Sequence, residues 1–563
     1  MKLEQVLGQN EIYFIGMTDL SRRIHRMLPW KKKKLIKRLN EAFGKKPEQD
    51  YDPGDMECIR SYYDACRKDA RDLFYIDDTT WNDLNMDAIY KQINSCQSTA
   101  GEQYLYYMLR RPMSRDDFDR QKRMIHFIQE NPNVRLKIQL LLRRIGNYRH
   151  IDLTSVFHPA GTASLWLILY LFMGLIFMAS VLVPVCLGKA YIFVPIVFFV
   201  INSLFHELRR IRCEHEITRV NYCVSLALSL CKMKKWKDPD LDAHLADAYE
   251  HLNQMKSFLR SGPVMSRLNS NPFQDAMMNF FLMDLISFEI LKKRLNKYHE
   301  HFLVVHEAVG RIDASIAIAS YRMSLKTWCE PEIDYSQDRP AIRAHCIVHP
   351  MIKNAVPNDL AMERSMLITG SNASGKSTYL RSVILCALMA ETLCTCPCVN
   401  YRGSFFRIYT SMALSDNLLA GESYYIAEIK SIKRILDEQK KEGFVLCALD
   451  EVLRGTNTIE RIAASKEILN ALDRSRTLCL AATHDAELCL LTGEQYQLAH
   501  FEETITEDTI CFDYKLKKGP ANTRNAIHLL KMLGFDHSIV VAAHKRADKY
   551  VRTGKWTEIN GIA

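Results

Sequence analysis

The strongest chemical signal in the chain is a short loop, Gly370-Ser371-Asn372-Ala373-Ser374-Gly375-Lys376-Ser377-Thr378. Two glycines, a lysine and a hydroxyl at this spacing form the phosphate-loop pattern. The glycines let backbone N–H groups curl around phosphate oxygens. Lys376 would neutralise the β- and γ-phosphates of ATP, and the Ser377 hydroxyl would ligate Mg²⁺. The apolar run Met366-Leu367-Ile368 precedes the loop, as a strand should. Tyr379 to Met389 follows it, as a helix should, and the amino end of that helix adds positive potential.

Two later segments carry the remaining chemistry. Phe444-Val445-Leu446-Cys447-Ala448-Leu449 reads as a buried strand ending in Asp450-Glu451. Alone, that pattern is equally a strand running into a turn. Beside a phosphate loop, Asp450 at the strand tip would hold the Mg²⁺ shell and Glu451 would polarise the attacking water. Two adjacent acids suit hydrolysis rather than binding alone. The third segment is Leu480-Ala481-Ala482-Thr483-His484-Asp485. A single histidine is more often structural, but one placed beyond a third strand can reach the γ-phosphate or the water. The expected catalytic pair is therefore Glu451 and His484.

These groups need a scaffold. From about residue 340, short apolar runs alternate with glycine-bearing turns, the texture of an α/β domain. Residues 206–335 read as long helices, with Ile312, Ile316, Ala319 and Met323 on one apolar face and breaks at Gly262-Pro263 and Asn271-Pro272. The fold class expected is α/β: a carboxy-terminal domain at 340–563, with a mixed sheet flanked by helices. An all-α region precedes it, split into residues 76–160 and 206–335.

A hydrophobic hairpin at 163–205 interrupts the helices. Ala163 to Leu187 is 25 residues without a charge, and Ala190 to Phe205 is 16 more, separated by Gly188-Lys189. The first run is long enough to cross the ~30 Å hydrocarbon layer. The second is short, and Lys189 and His206 would have to snorkel or the bilayer thin. Arg143, Arg144 and Arg149 precede the pair, and Arg209, Arg210 and Arg212 follow it. Cations on both flanks suit a two-span hairpin in the cell membrane with both termini in the cytoplasm. A re-entrant hairpin and a helical pair buried in a soluble core are the alternatives.

Composition bounds the rest. The chain has 563 residues, 48% of them apolar, with 75 Lys and Arg against 65 Asp and Glu, a net charge of +10. That excess fits nucleic acid or an anionic membrane surface and requires neither. Residues 1–75 include a stretch from Arg22 to Arg38 with nine basic residues and no acid. It reads either as a solvated face or as a contact to headgroups or nucleic-acid phosphate. The 17 cysteines show no regular framework and read as reduced cytosolic thiols. Cys394, Cys396 and Cys398 are the tightest group. With no second cluster and no histidine pair nearby, a metal site is not expected there.

The motifs together resemble the MutS family of the wider ABC-type ATPases. Leu367 to Arg381 is similar to its phosphate loop, and His349-Pro350 and Val356 to Asp359 to its lead-in. Asp416 to Glu428 resembles the family's signature segment. Asp450-Glu451 followed by Arg454-Gly455-Thr456-Asn457 resembles the acid pair and dimer loop, and Gly519 to Ile527 the closing segment. The likeness covers roughly 345–545. A weaker one marks Ile76 to Leu84 and Ser98 to Leu105 as the start of a helical core, and Val309 to Asp313 as the helix returning to the ATPase.

The resemblance implies a homodimer of head-to-tail ATPase domains, with Ser423 approaching the γ-phosphate from the partner and Asn457 carrying signals between sites. It also implies DNA as a partner. Few residues precede the core likeness, so the mismatch-reading domain is expected to be missing. Ala355 stands where the family often places an aromatic under adenine, and Tyr514 is the substitute ring. Two functions follow: a membrane-anchored ATPase coupled to DNA, or an ATP-driven switch acting on a protein or lipid partner. An ABC transporter does not fit, because two spans make no pathway.

Overall fold

The computed structural model describes residues 29–70, 73–148, 165–256, 258–259, 281–371, 374–412, 424–454, 456–505, 510–520, 527, 530, 534–553 and 556. Asn372, Ala373, Gly455, Ser423 and the Gly262-Pro263 and Asn271-Pro272 breaks lie outside them. The chain divides into two compact units. The first holds residues 1–73, 90–110 and 116–324; the second holds 74–89, 111–115 and 325–563.

The first unit is helical among its described residues. Its helices are α1 (Pro29–Ala42), α2 (Asp55–Asp69), α5 (Thr99–Arg110), α6 (Arg115–Glu130), α7 (Pro132–Ile145), α8 (Leu165–Leu187), α9 (Phe193–Arg212), α10 (Glu214–Lys234), α11 (Pro239–Gln254), α12 (Met283–Lys297) and α13 (His299–Ser324). Local chemistry marks several ends. Pro132 starts α7 and Gly146, at φ 82°, stops it. Asp238 caps α11 ahead of Pro239.

Helix α13 is the axis of this unit, packing on α5, α10, α11 and α12. Its polar side chains find partners inside. Ser98 Oγ donates to Asp313 at 2.6 Å, and the backbone N–H groups of Gln97 and Ser98 donate to the same carboxylate. Gln121 Nε2 donates to Ser315 Oγ at 3.0 Å. Ile312, Ile316 and Ala319 are buried as expected, but Met323 is 59% exposed. The last turn of α13 has run past the core, and an apolar residue there is tolerated as an isolated surface side chain.

The charge-free stretch forms two helices, α8 and α9, joined by Gly188 at φ 107° and a short 3₁₀ turn, Lys189–Ile192. They are not buried in this unit. Val185 is 79% exposed and Leu175 68%. Within this unit both helices present large apolar side chains outward, as a buried pair would not. Polar and aromatic groups gather where the chain enters and leaves. Arg209 Nε donates to Tyr170 Oη at 2.8 Å, its guanidinium lies 3.9 Å from the Trp166 ring, and His206 pairs with Asp284 at 2.7 Å.

The second unit is mixed α/β. Its strands are β1 (Glu332–Asp334), β2 (Ile342–Ile347), β3 (Asn358–Met362), β4 (Met366–Thr369), β5 (Asn400–Ser404), β6 (Phe406–Ser411), β7 (Phe444–Asp450), β8 (Thr477–Ala482), β9 (Gln497–His500), β10 (Glu503–Ile505), β11 (Ile510–Phe512) and β12 (Lys517–Lys518). Six of them form one sheet in the order β12-β9-β4-β8-β7-β6, parallel except for β12. Strands β7 and β8 are almost wholly buried, which is why they read as unbroken apolar runs. A smaller sheet has the order β1-β5-β2-β3.

The helices of this unit are α14 (Lys376–Leu393), α15 (Tyr424–Glu438), α16 (Thr458–Leu472), α17 (Ala486–Thr492) and α18 (His537–Thr553). Residues 74–89 fold with it, through α3 (Asp78–Asp83) and the start of α4 (Met86–Ile93). Thr410 Oγ1 and the Met412 N–H both donate to Asp83 Oδ2, at 2.7 and 3.0 Å. Arg434 donates to Asp77 at 2.6 Å. Ile76 to Leu84 thus buttresses strand β6.

Close helix contact in the first unit gives a test. A Cβ on Gly310 of α13 would sit 2.7 Å from the Ala100 carbonyl of α5. That atom is backbone and cannot step aside, so Gly310→Ala is expected to destabilise by about 1–3 kcal/mol. Thermal or urea unfolding of the detergent-solubilised chain measures it. An unchanged transition would show that the α5–α13 contact is not tight.

Candidate functional site

Parallel pairing brings the chemical groups to one rim. Ile368 of β4 is level with Ala482 of β8, and Ala482 is level with Asp450 of β7. Beyond the strand ends the pairing continues. The Thr483 N–H donates to the Ile368 carbonyl at 2.9 Å, and the Glu451 N–H to the Ala482 carbonyl at 3.0 Å. The loop after β4, His484 after β8 and the acids of β7 therefore share the carboxyl edge of the sheet, where open α/β sheets present their sites. One detail differs from expectation. The acid strand is not beside the loop strand; β8 is inserted between them. The histidine accordingly stands between the lysine and the acid.

Gly370, Ser371 and Ser374 lie in the loop, and Gly375 caps α14, whose first residues are Lys376, Ser377 and Thr378. Two glycines are required. Gly370 sits at φ 145°, and a Cβ there would fall 2.6 Å from the Phe501 carbonyl; Gly375 sits at φ 106° with Tyr514 against it. No side chain caps the amino end of α14, leaving that end suited to an anion. Ser374 Oγ is buried without a hydrogen-bond partner.

Lys376 is 5% exposed. Its ammonium donates to the carbonyls of Gly370 and Ser371 at 2.7 and 2.8 Å and lies 3.3 Å from His484 Nε2. Burial brings its pKa down to about 8, against the upward pull of Glu451 and Asp450. His484 Nε2 is 2.7 Å from Glu451 Oε1. Burial pushes the Glu451 carboxyl up, but hydrogen bonds from His484 and Arg454 outweigh it and hold the group at about 2. Glu451 stands at φ 59°, a conformation that costs a non-glycine residue of the order of 1–3 kcal/mol and that gathers at functional sites. Asp450 is buried, and its Oδ1 has no hydrogen-bond partner. With Ser377 it offers an oxygen-rich donor set that fits a hard divalent cation such as Mg²⁺.

Several contributing residues were not apparent from sequence. Arg461 of α16 clamps Asp485 with bonds of 2.9 and 2.7 Å, which holds the turn carrying His484. Ser371 Oγ donates to Glu503 at 2.7 Å; one acid of a Glu-Glu pair gave no signal. Glu428 accepts from the Leu453 N–H at 2.5 Å and so ties α15 to the loop after Glu451. Asn457 caps α16 by accepting from the Glu460 N–H at 3.0 Å.

A cleft of about 530 Å³ opens over this rim. Loop residues Ser371, Gly375, Lys376 and Ser377 line it together with Glu451, Arg454, Ala355, Val356 and Tyr514. Ala355 and Tyr514 therefore line one cleft, together with the rings of His349, Tyr379 and Phe501.

A helical region with an ATPase-type mixed α/β domain is the class that these features define. Residues 366–550 match the family model of MutS domain V. That segment is therefore similar to the carboxy-terminal domain of the MutS family. The chain is 29% identical over 265 residues to the DNA mismatch repair protein MutS of Thermus thermophilus, a match covering 46% of this chain and 31% of that protein. It is 31% identical over 247 residues to the DNA mismatch repair protein MutS of Caldanaerobacter subterraneus subsp. tengcongensis, covering 42% and 28% respectively. The matched segment thus spans less than a third of these relatives' length.

The lowered lysine makes a measurable prediction. An oxyanion in the loop needs Lys376 charged, and above pH 8 the unliganded site must first take up a proton. Affinity for inorganic pyrophosphate is expected to fall about tenfold per pH unit above 8, beyond pyrophosphate's own titration. Lys376→Arg keeps its charge and flattens the slope. Equal slopes in wild type and variant, read by calorimetry, would place the titrating group elsewhere.

Proposed function

We infer that this chain is a membrane-anchored ATPase of the MutS type, which binds and hydrolyses ATP in a head-to-tail homodimer and couples that cycle to DNA. The observation that carries the reading is the line of groups along one rim, Lys376 to His484 at 3.3 Å and His484 to Glu451 at 2.7 Å. A lysine, a histidine and an ionised acid in sequence are what a phosphoryl-transfer site needs to hold phosphate and orient water.

The residues divide the work. Lys376 exchanges its two carbonyl partners for phosphate oxygens, and the amino end of α14, Ser371 and Ser374 add donors. Tyr514 packs against the base, since Ala355 offers no ring. Asp450 and Ser377 would hold Mg²⁺, which would supply charge neutralisation to the phosphates. Glu451 remains ionised throughout the neutral range, so it accepts a hydrogen bond from the attacking water once Arg454 releases it. His484 turns from Glu451 toward the γ-phosphate.

The partner subunit contributes the segment around Ser423, and Asn457 lies near the shared boundary. Ile459 and Leu490 support such a boundary: they are 82% and 85% exposed on α16 and α17, which pack together. A half-site completed by its partner makes hydrolysis depend on dimerisation.

Two observations bear on where the cycle acts. Helices α8 and α9 are apolar, exposed and long enough to cross a bilayer. Trp166, Tyr170 and Arg209 cluster at one end, as interfacial side chains do. In the same helical unit, Lys32, Lys137, Arg144, Lys232 and Lys235 line one groove with no acid among its lining residues. That groove suits a phosphate backbone. It also supports the second reading, a switch acting on anionic lipid or on a protein, because it belongs to the unit that carries the hairpin.

ATP turnover by the detergent-solubilised chain decides. Glu451→Gln is expected to lower kcat by about 100-fold or more while ATP still binds. Stimulation by duplex, mismatched or branched DNA, lost as salt rises, supports DNA coupling. Turnover indifferent to every DNA moves the assignment to the lipid or protein switch, and a wild type without turnover overturns both.

Anchoring is tested apart from catalysis. Deleting residues 165–212 is expected to move the chain from the carbonate-washed membrane fraction to the soluble one. A full-length chain already found in the soluble fraction would remove the anchor.

A further inference from the structure

Four cysteines distant in sequence converge in the second unit. Cys386 lies midway along α14, Cys396 and Cys398 follow that helix, and Cys329 precedes β1. Backbone pairing holds three of them. Cys329 and Cys396 exchange both N–H···O bonds of an isolated antiparallel bridge, at 3.0 and 2.9 Å, and the Cys398 N–H donates to the Cys396 carbonyl at 2.9 Å. The sulfurs meet. Cys329 Sγ is 3.5 Å from Cys398 Sγ, and Cys386 Sγ is 3.7 Å from Cys398 Sγ. The sulfurs of Cys329, Cys396 and Cys398 all lie within 4.8 Å of one another. Cys386, Cys396 and Cys398 are fully buried.

We propose that Cys329, Cys386, Cys396 and Cys398 form a structural site for a thiophilic divalent cation of the zinc type. Geometry argues for it. In a tetrahedral site with metal–sulfur bonds of about 2.3 Å, neighbouring sulfurs stand about 3.8 Å apart. The two separations above are within a few tenths of an ångström of that value. A disulfide needs about 2.05 Å and joins only two sulfurs, whereas Cys398 stands at nearly equal distance from two others. Van der Waals packing of apolar thiols is the remaining alternative, and the metal content of the purified chain separates the two: three sulfurs lie mutually close, and Cys386 joins them through Cys398.

Cys396 Sγ also lies 3.6 Å from the Cys386 carbonyl oxygen and Cys398 Sγ 3.4 Å from the Asn400 carbonyl oxygen, so the cluster is tied to the backbone of α14 and β5. Binding replaces S–H bonds by S–metal bonds, and the displaced protons pass to solvent. Cys394 takes no part: it closes α14 at φ 51°. The expectation of no metal at Cys394, Cys396 and Cys398 is thereby revised. Two of those three residues belong to the site, and its other half comes from Cys329 and from a helix.

Such a site would have a mechanical role. It joins the middle of α14, whose amino end is the phosphate loop, to the segments leading into β1 and β5. The cation would fix that helix on the smaller sheet.

The test uses the full chain, expressed in zinc-replete medium and purified in detergent without chelator. Elemental analysis is expected to give about one zinc per chain, released by a mercurial titrant and detected with a metallochromic dye. Exchange into Co²⁺ is expected to give the visible bands and sulfur-to-cobalt charge transfer of a tetrahedral thiolate site. Cys396→Ser should lower the bound metal at least tenfold, while Cys511→Ser, at an exposed cysteine, should leave it unchanged. Should Cys396→Ser fail to fold, the wild-type stoichiometry and cobalt spectrum decide alone. A folded wild-type chain with no zinc and no cobalt bands overturns the proposal. So does a disulfide among the four cysteines in protein alkylated at lysis.

Discussion

Two backbone hydrogen bonds past the ends of the strands determine what this molecule can do. Thr483 N–H to Ile368 carbonyl, and Glu451 N–H to Ala482 carbonyl, extend parallel pairing one step beyond β4, β8 and β7. Without them, the loops after three strands would leave the sheet independently. With them, Gly370, His484 and Glu451 leave from one level. The side chains then need no long reach. Lys376 meets His484 at 3.3 Å, and His484 meets Glu451 at 2.7 Å. The buried apolar strands supply the rigidity that such spacing needs.

The rim is held against local preference. Glu451 adopts φ 59° and Leu453 φ 61°, both on the loop that leaves β7. Buried Glu428 accepts from the Leu453 N–H and pins that backbone. Arg461 pins the neighbouring turn through Asp485. Charge follows the same logic. Lys376 is stripped of water yet faces two acids, so its ammonium remains close to balance near neutral pH. An arriving phosphate would restore the counter-charge that burial removes. The strained, partly desolvated rim is thus prepared for an anion rather than relaxed without one.

Legibility in the sequence followed how local each signal was. The phosphate loop was plain because glycine spacing, the preceding strand and the following helix are contiguous. The acid pair and histidine were legible as ends of apolar runs. Their order across the sheet was not, since only long-range pairing inserts β8 between β4 and β7. Met323 continued the α13 period but lies past the core that the period was meant to serve. Nothing local in the sequence ties Asp83 to Met412 or Glu503 to Ser371, since those partners are far along the chain. The hairpin was clear from composition, because 25 residues without charge need no partner to be noticed.

Helix α14 links the glycine-bearing loop after β4 to the thiol cluster. Its amino end is the phosphate loop, and its body carries Cys386 into the thiol cluster with Cys329, Cys396 and Cys398. A helix transmits displacement along its axis better than a loop does, since its hydrogen bonds resist extension. Anything that grips Cys386 therefore limits how far Lys376 can shift when phosphate arrives. If Cys386 is held as proposed, the amino end of α14 would be the fixed part of the site.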